Sequence, residues 1–387
     1  MKDKLVLAVF IDAFGWEILK AHPFLCKEAP FRKKIDTIFG YSCTAIPTIL
    51  TGSPPSEHGH FSFFLHNGQS PFESLAPLGL IPEFIAGRGR VRNKISGLVK
   101  RLYGFTGYFQ LYNVPFEYLK YFDYCEKQDL YQPGGLAPCQ TLFDELHSRN
   151  VNFFVSDWRK SEKYNLAQAK EVIDKGEVDL AYIYTAELDG LLHFRGKGHP
   201  DIAKKVEHYE KHLIEILSVA RKRYKEVSFA IFSDHGMNDI FEDVELMKPI
   251  ADLKLEFGED YIACYDSTMA RFWFKKEEAK KAIQEVLRAE SRGRILTKEE
   301  LSTWGSWFPD GRYGELIFLM DPGRLIVPSF MGKKTMKGMH GYDPSCADAA
   351  AMMVSNEEIG NDVCALTDIK GLLLSKLAKD KRKEKAA

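Results

Sequence analysis

Acidic residues are missing from one long stretch of this chain: none lies between Glu83 and Glu117, although the whole protein carries a net charge of -1. Near-zero net charge gives no global attraction to nucleic acid, so any electrostatic preference must be local, and no nucleic-acid partner is expected. Regular cysteine spacing is lacking too. The seven cysteines are an odd number and form no CxxC pair. A disulfide framework is not expected, and a reducing, cytoplasmic compartment fits better. No apolar run approaches the ~20 residues of a membrane span. Internal repeats and low-complexity segments are absent as well.

The first residues imitate a signal peptide, with Lys2 and Lys4 ahead of the apolar run Leu5–Ile11. Asp12 interrupts that run and no small-residue cleavage site follows, so the segment reads as a buried first strand. The C-terminal stretch from Lys376 to Ala387 reads as a solvated, frayed helix end with no function of its own.

With 387 residues, 45% of them hydrophobic, the chain can bury a large core. Leu5–Ile11, Val151–Val155, Leu180–Tyr184 and Val227–Phe232 are apolar at consecutive rather than alternate positions, as in strands covered on both faces. Helical segments separate them, among them Gln140–Arg149 and Ile202–Arg221. This alternation predicts an α/β fold with a mostly parallel central sheet sandwiched by helices. Residues 61–138 and 250–310 break the rhythm. They read as a cap insertion and a small α+β insertion, the latter with a strand at Thr268–Phe274, a helix at Glu277–Glu290 and a strand at Arg294–Leu296. The catalytic core is then 1–60, 139–249 and 311–387.

Short motifs of acids and histidines punctuate that core. They are Asp12 after the first strand, Asp189 with His193, Asp234 with His235 before Gly236, and His340 before Gly341. Singly, each has an ordinary explanation: an Asp after a strand is more often a helix cap, and a lone His is more often a core or surface residue. Together, three Asp and three His can make two three-ligand metal sites. Carboxylate oxygen and imidazole nitrogen suit zinc, with manganese or iron as rivals. Asp189 and His193 are four apart, so one helical turn or a tight loop can aim both at one ion. Asp12, Asp234 and His235 closely follow apolar runs, at the carboxyl ends of strands where open α/β sheets bind ligands. On a strand Asp234 and His235 would face opposite ways; both can serve one ion only where the chain turns, which Gly236 permits.

The segment Tyr41–Gly59 reads YSCTAIPTILTGSPPSEHG. Ser42 is a candidate nucleophile that needs activation, with Cys43, Thr44 and Thr48 as rivals. Ser42 equally reads as the N-cap of a helix ending near Thr51-Gly52. The two roles are compatible, since a helix N-terminus also favours an anionic phosphate.

These residues resemble the alkaline phosphatase superfamily, in particular its type I phosphodiesterase/nucleotide pyrophosphatase branch. The resemblance covers about residues 4–60, 140–240 and 312–345. It rests on Asp12, on the TG…P..HG signature of Thr51, Gly52, Pro55, His58 and Gly59, on Asp189 and His193, on Asp234-His235-Gly236-Met237, and on Gly338, His340 and Gly341. Counting back ten residues from Gly52, as the branch does, reaches Ser42. The resemblance implies one metal on Asp12, Ser42, Asp234 and His235, and a second on Asp189, His193 and His340. It implies hydrolysis of a phosphodiester or phosphoanhydride through a phosphoryl-serine. A phosphomonoesterase or phosphoryl transferase of the same superfamily is the first rival; a catalytically silent metal-binding protein is the second. The branch usually carries Thr followed by Phe-Pro-Asn, where this chain has Ser42-Cys43-Thr44-Ala45. Cys43 lacks the Cys-x-Pro-x-Arg setting of sulfatases. The branch's Asn after HG is replaced here by Phe63, which leaves Asn67 or a cap residue as alternative donor.

In the cap, Arg88, Arg90 and Arg92 with Lys94 offer a landing site for an extra phosphate, nucleotide or lipid-linked, or for a membrane surface. The bland alternative is a solvated charged face. Tyr108 and Asn113 lie in an aromatic-rich stretch that either lines a pocket or packs the cap onto the core. The expected partner is a small phosphoester, with peripheral membrane contact as a further expectation.

Overall fold

The computed structural model describes residues 1–378, apart from the side chains of Glu83 and Ala86. Its centre is a six-stranded sheet in the order Phe31–Ile35, Ala351–Ser355, Tyr224–Phe232, Lys2–Ile11, Leu180–Thr185, Phe153–Val155. The last four of these run parallel; Ala351–Ser355 is antiparallel to both its neighbours. Along Lys2–Ile11 the side chains alternate between two apolar layers. Leu5, Leu7, Val9 and Ile11 join one, packed under the helices Glu162–Lys175 and Pro200–Arg223, while Val6, Ala8 and Phe10 join the other, under Ser42–Thr51 and Ile369–Leu377. Cover on both faces is the physical reason the strand is apolar at every position. The expected strands and helices all form, within a few residues of the expected bounds.

A second, four-stranded antiparallel sheet has the order Tyr261–Tyr265, Met269–Phe274, Leu316–Met320, Gly293–Ile295. Its third strand lies beyond the 250–310 range read as an insertion, because the two-strand hairpin formed by Tyr261–Phe274 needs Leu316–Met320 to pair its inner edge. This sheet and the segment 61–138 share one core, in which Phe64, Phe72, Phe109, Phe122 and Tyr124 meet Ile262, Phe272 and Phe318. Arg271 is fully buried there. It donates to Asp266 at 2.7 Å, Ser62 at 2.9 Å and the Phe64 carbonyl at 2.8 Å. Burial opposes its charge, but Asp266 beside it more than offsets this and holds its pKa up.

At the C-terminus Lys376, read from sequence as the start of a solvated tail, is buried and donates to Glu357 at 2.5 Å. Residues 379–387 of that tail lie outside the described residues. Among the described residues no helix is long and apolar enough to cross a membrane.

Candidate active site

Five parts of the core converge on one point. Asp12 follows directly on the central strand, where its N–H donates to the Thr185 carbonyl at 2.9 Å. Asp234 and His235 follow the neighbouring strand Tyr224–Phe232. Two glycines bring these strand ends together. A Cβ on Gly15 would lie 2.3 Å from the Gly236 Cα, and one on Gly236 would lie 2.1 Å from the Asp348 carbonyl. Gly236, read from sequence as permitting the chain to turn, is thus required by crowding and not by a positive φ. Asp234 Oδ1 accepts from the N–H groups of Ala13, at 3.2 Å, and His235, at 3.0 Å, which leaves Oδ2 facing the site.

Asp189 and His193 sit one turn apart on the helix Glu187–Arg195, with His193 Nε2 3.3 Å from Asp189 Oδ1. His193 Nδ1 meets the Gly338 carbonyl at 2.8 Å, so Nε2 is the atom presented inward. His340 follows the short strand Gly338–Met339, and its ring stacks on His235 with centroids 3.7 Å apart. The chain therefore groups Asp189, His193 and His340 as expected. It also groups Asp12, Asp189 and His235, so Asp189 lies within reach of both clusters.

Ser42 is the first residue of the helix Ser42–Thr51, whose N-cap is Tyr41. This corrects the N-cap reading of Ser42. With Tyr41 in that role, the Ser42 hydroxyl is free to face the site, 3.1 Å from His235 Nε2. Cys43 and Thr44 are buried in the helix's packing, where Thr44 Oγ1 and Cys43 Sγ turn to the Phe61 carbonyl. Gly52 ends the helix at φ +71, as its position implied.

The electrostatics of this cluster ask for cations. Burial, then Asp234 and Asp189, push the Asp12 carboxyl well above its ordinary value. Burial opposes ionisation of Asp189, yet His193, then His340 and His235, hold its carboxyl well below the usual range. Burial and the neighbouring His235 drive His340 down. Asp12 Oδ1, Asp189 Oδ1, Asp234 Oδ2 and His340 Nδ1 are buried and make no hydrogen bond. Buried polar atoms normally find partners. Carboxylate oxygens left orphaned beside imidazoles are what a divalent-cation site looks like, so this donor set fits the metals implied by the motifs.

Beside the cluster lies a cavity of about 430 Å³ walled by Phe63, Tyr108, Tyr112, Tyr131, Trp158 and Glu126, among others. Phe63 stacks at 5.7 Å on Tyr112 and lies 5.3 Å from Tyr108. Of the substrate candidates named from sequence, only Tyr108 lines it. Asn67 donates to Asp123, and Asn113 to the Met331 carbonyl. Arg88 and Arg90 are exposed. Arg92 is buried against Phe116 and donates to the Tyr112 and Val114 carbonyls, so it supports the cavity wall from behind. Glu126 was not foreseen. It follows the short strand Asp123–Tyr124, in no motif, and burial pushes its carboxyl up to about 8.

A cluster of acids and imidazoles at the carboxyl ends of parallel strands, with a helix-borne serine facing it, defines the class: a hydrolase of phosphoric ester or anhydride bonds. The chain belongs to the type I phosphodiesterase / nucleotide pyrophosphatase family, which it matches over residues 6–343. Its fold is that of murine ectonucleotide pyrophosphatase / phosphodiesterase 5, at TM-score 0.68 and 16% identity over 96% of this chain and 95% of the other. The human protein of that name gives 0.69 and 16%, over 96% and 94%. An inactive form of the murine protein in complex with AMP gives 0.67 and 17%, over 97% and 95%. No curated protein sequence matches significantly.

Proposed function

We propose that the protein is a two-metal phosphodiesterase or nucleotide pyrophosphatase with Ser42 as its nucleophile. The observation that carries this is the Ser42 hydroxyl at a helix start, next to His235 and among carboxylate oxygens without partners. Asp12, Asp234 and His235 with Ser42 would hold one cation, and Asp189, His193 and His340 the other, zinc being the first expectation and manganese or iron the rivals. Bound there, the ions supply neutralisation of charge on the phosphoryl oxygens and a lowered pKa for the serine hydroxyl. Ser42 gives up its proton, its Oγ–P bond forms as the leaving oxygen–P bond breaks, and water then releases the phosphoryl group and restores the serine. The first N–H groups of the Ser42–Thr51 helix face the same anion.

The cavity walls favour a nucleotide as the group carried beyond the scissile phosphorus. Phe63, stacked on Tyr112 and tilted against Tyr108, belongs to an aromatic wall on which a planar base can pack. The AMP complex of the structural neighbour supports the same substrate class. Phe63 takes the place of an amide donor, which leaves an apolar wall suited to a diester and not to the extra charge of a monoester. The test is a panel of dinucleotides, nucleotide sugars, CDP-lipids and glycerophosphodiesters with zinc- or manganese-loaded protein. Bis-p-nitrophenyl phosphate and p-nitrophenyl phosphate run beside it. Faster turnover of the monoester would overturn the diesterase reading.

A further inference from the structure

The acid-free stretch of the cap forms the helix Gly89–Leu102, and that helix has two unlike sides. Inward go Arg92, Ser96 and Val99, which pack on the segment holding Tyr108 and Tyr112. Lys100 is turned inward as well, donating to the Gly107 carbonyl and lying over the Trp158 ring at 5.0 Å. Outward go two adjoining stripes. At 3.6 residues per turn, Leu98 and Leu102 fall on one, and Arg90, Lys94 and Arg101 on the other. Leu98 is 58% exposed and Leu102 71%. In the short elements that precede the helix, Leu80 and Phe84 are exposed as well, at 86% and 69%. Arg88, Arg90, Lys94 and Arg101 are exposed, and no carboxylate of the described residues pairs with them.

We propose that this face docks on an anionic lipid surface. Exposed large apolar side chains are ordinary when scattered, but here they gather beside unpaired cations on one helix face. An apolar stripe flanked by basic residues is the pattern of a helix lying in the plane of a bilayer interface, with the leucines below the headgroups and the cations among them. Charge complementarity selects the occupant. A second copy of the chain would bring the same cations face to face in a two-fold contact, which like charges oppose. Anionic headgroups meet those cations and leave the acyl region for Leu98 and Leu102. Docking would seat the enzyme on the membrane through a helix whose other side holds the cavity wall.

The test is flotation of the full chain with vesicles of pure phosphatidylcholine and with vesicles of equal parts phosphatidylcholine and phosphatidylserine. Binding is expected to the anionic vesicles only and to fall as salt rises. Triple replacement Arg90→Gln, Lys94→Gln, Arg101→Gln should weaken it on the order of 100-fold, counting roughly fivefold per cation. Leu98→Ser with Leu102→Ser should weaken it too, while turnover of bis-p-nitrophenyl phosphate stays unchanged in both variants and so certifies their fold. Absence of wild-type binding to anionic vesicles, or equal binding by the triple variant, would overturn the proposal. So would a wild-type dimer in sedimentation that the leucine variant dissociates, because the face would then belong to a second copy.

Discussion

Replacing Arg271 by Met should destabilise the protein by about 3–5 kcal/mol, the cost of leaving one partner of a buried ion pair behind. Asp266 is itself only 1% exposed, so its charge gains no water when the guanidinium goes. Ser62 still donates to Asp266 at 3.1 Å, which offsets part of the loss. The Phe64 carbonyl loses a 2.8 Å donor, and an orphaned buried acceptor costs about 1–3 kcal/mol. Replacing both partners, Arg271→Met with Asp266→Leu, removes the stranded charge and should recover most of the stability. Urea unfolding followed by circular dichroism measures all three proteins. The functional consequence runs through position: Arg271 ties down Ser62 and Phe64, the neighbours of Phe63, and Phe63 is cavity wall. The single variant should therefore raise KM for a nucleotide diester while kcat for bis-p-nitrophenyl phosphate changes little. A single-variant loss below about 1 kcal/mol, or a double variant no better than the single, would refute the account of the pair.

Three further outcomes are expected. Ser42→Ala should abolish turnover while metal content measured by elemental analysis stays unchanged, and Cys43→Ala should remain active; the reverse pattern would make Cys43 the nucleophile. Asp234→Ala and His340→Ala should each lower bound metal and reduce rate on the order of 10³-fold, and a loaded protein without stoichiometric metal would end the two-metal reading. Burial lowers His58 from the ordinary 6.5 to about 3, so the folded protein binds fewer protons there than the unfolded chain. Stability should thus fall as pH drops below 6.5, by about 1.4 kcal/mol per unit from this group, until about pH 3. A His58→Gln protein whose stability falls just as steeply in urea titrations between pH 6 and 4 would show that another group is responsible.

Sequence alone went furthest where function forces a local signature. Asp12, Asp234 and His235 could be placed because they end strands whose unbroken apolar character announces burial on both faces. Asp189 and His193 could be paired because one turn of helix separates them. The cavity wall was less legible, since Phe63, Tyr112, Glu126 and Trp158 meet only after the cap folds onto the second sheet. No local rule distinguishes Glu126 from any other carboxylate near a strand end. The basic run was misread in part for a geometric reason. Arg88, Arg90 and Arg92 are close in sequence, but a helix turns Arg92 inward while Arg90 stays out, and its long side chain can be buried where carbonyls take up its donors. Ser42 was displaced by one residue from the cap role, because the backbone geometry of Tyr41 decides where that helix begins.

The contact between Gly15 and Gly236 makes the site's span a property of main chain. Neither residue offers a donor atom, and neither touches the cavity. Yet the segments that follow Asp12 and Asp234 leave no room for one methyl group between Gly15 and the Gly236 Cα. Such a spacing cannot be tuned by gradual change. An alanine at position 15 would act like a shim in a caliper, pressing on the Gly236 backbone while the side chains of the site remain chemically intact; one at position 236 would press on the Asp348 carbonyl instead. Redesign of this enzyme for a larger or smaller cation would accordingly begin at these glycines, before any of the side chains that would hold it.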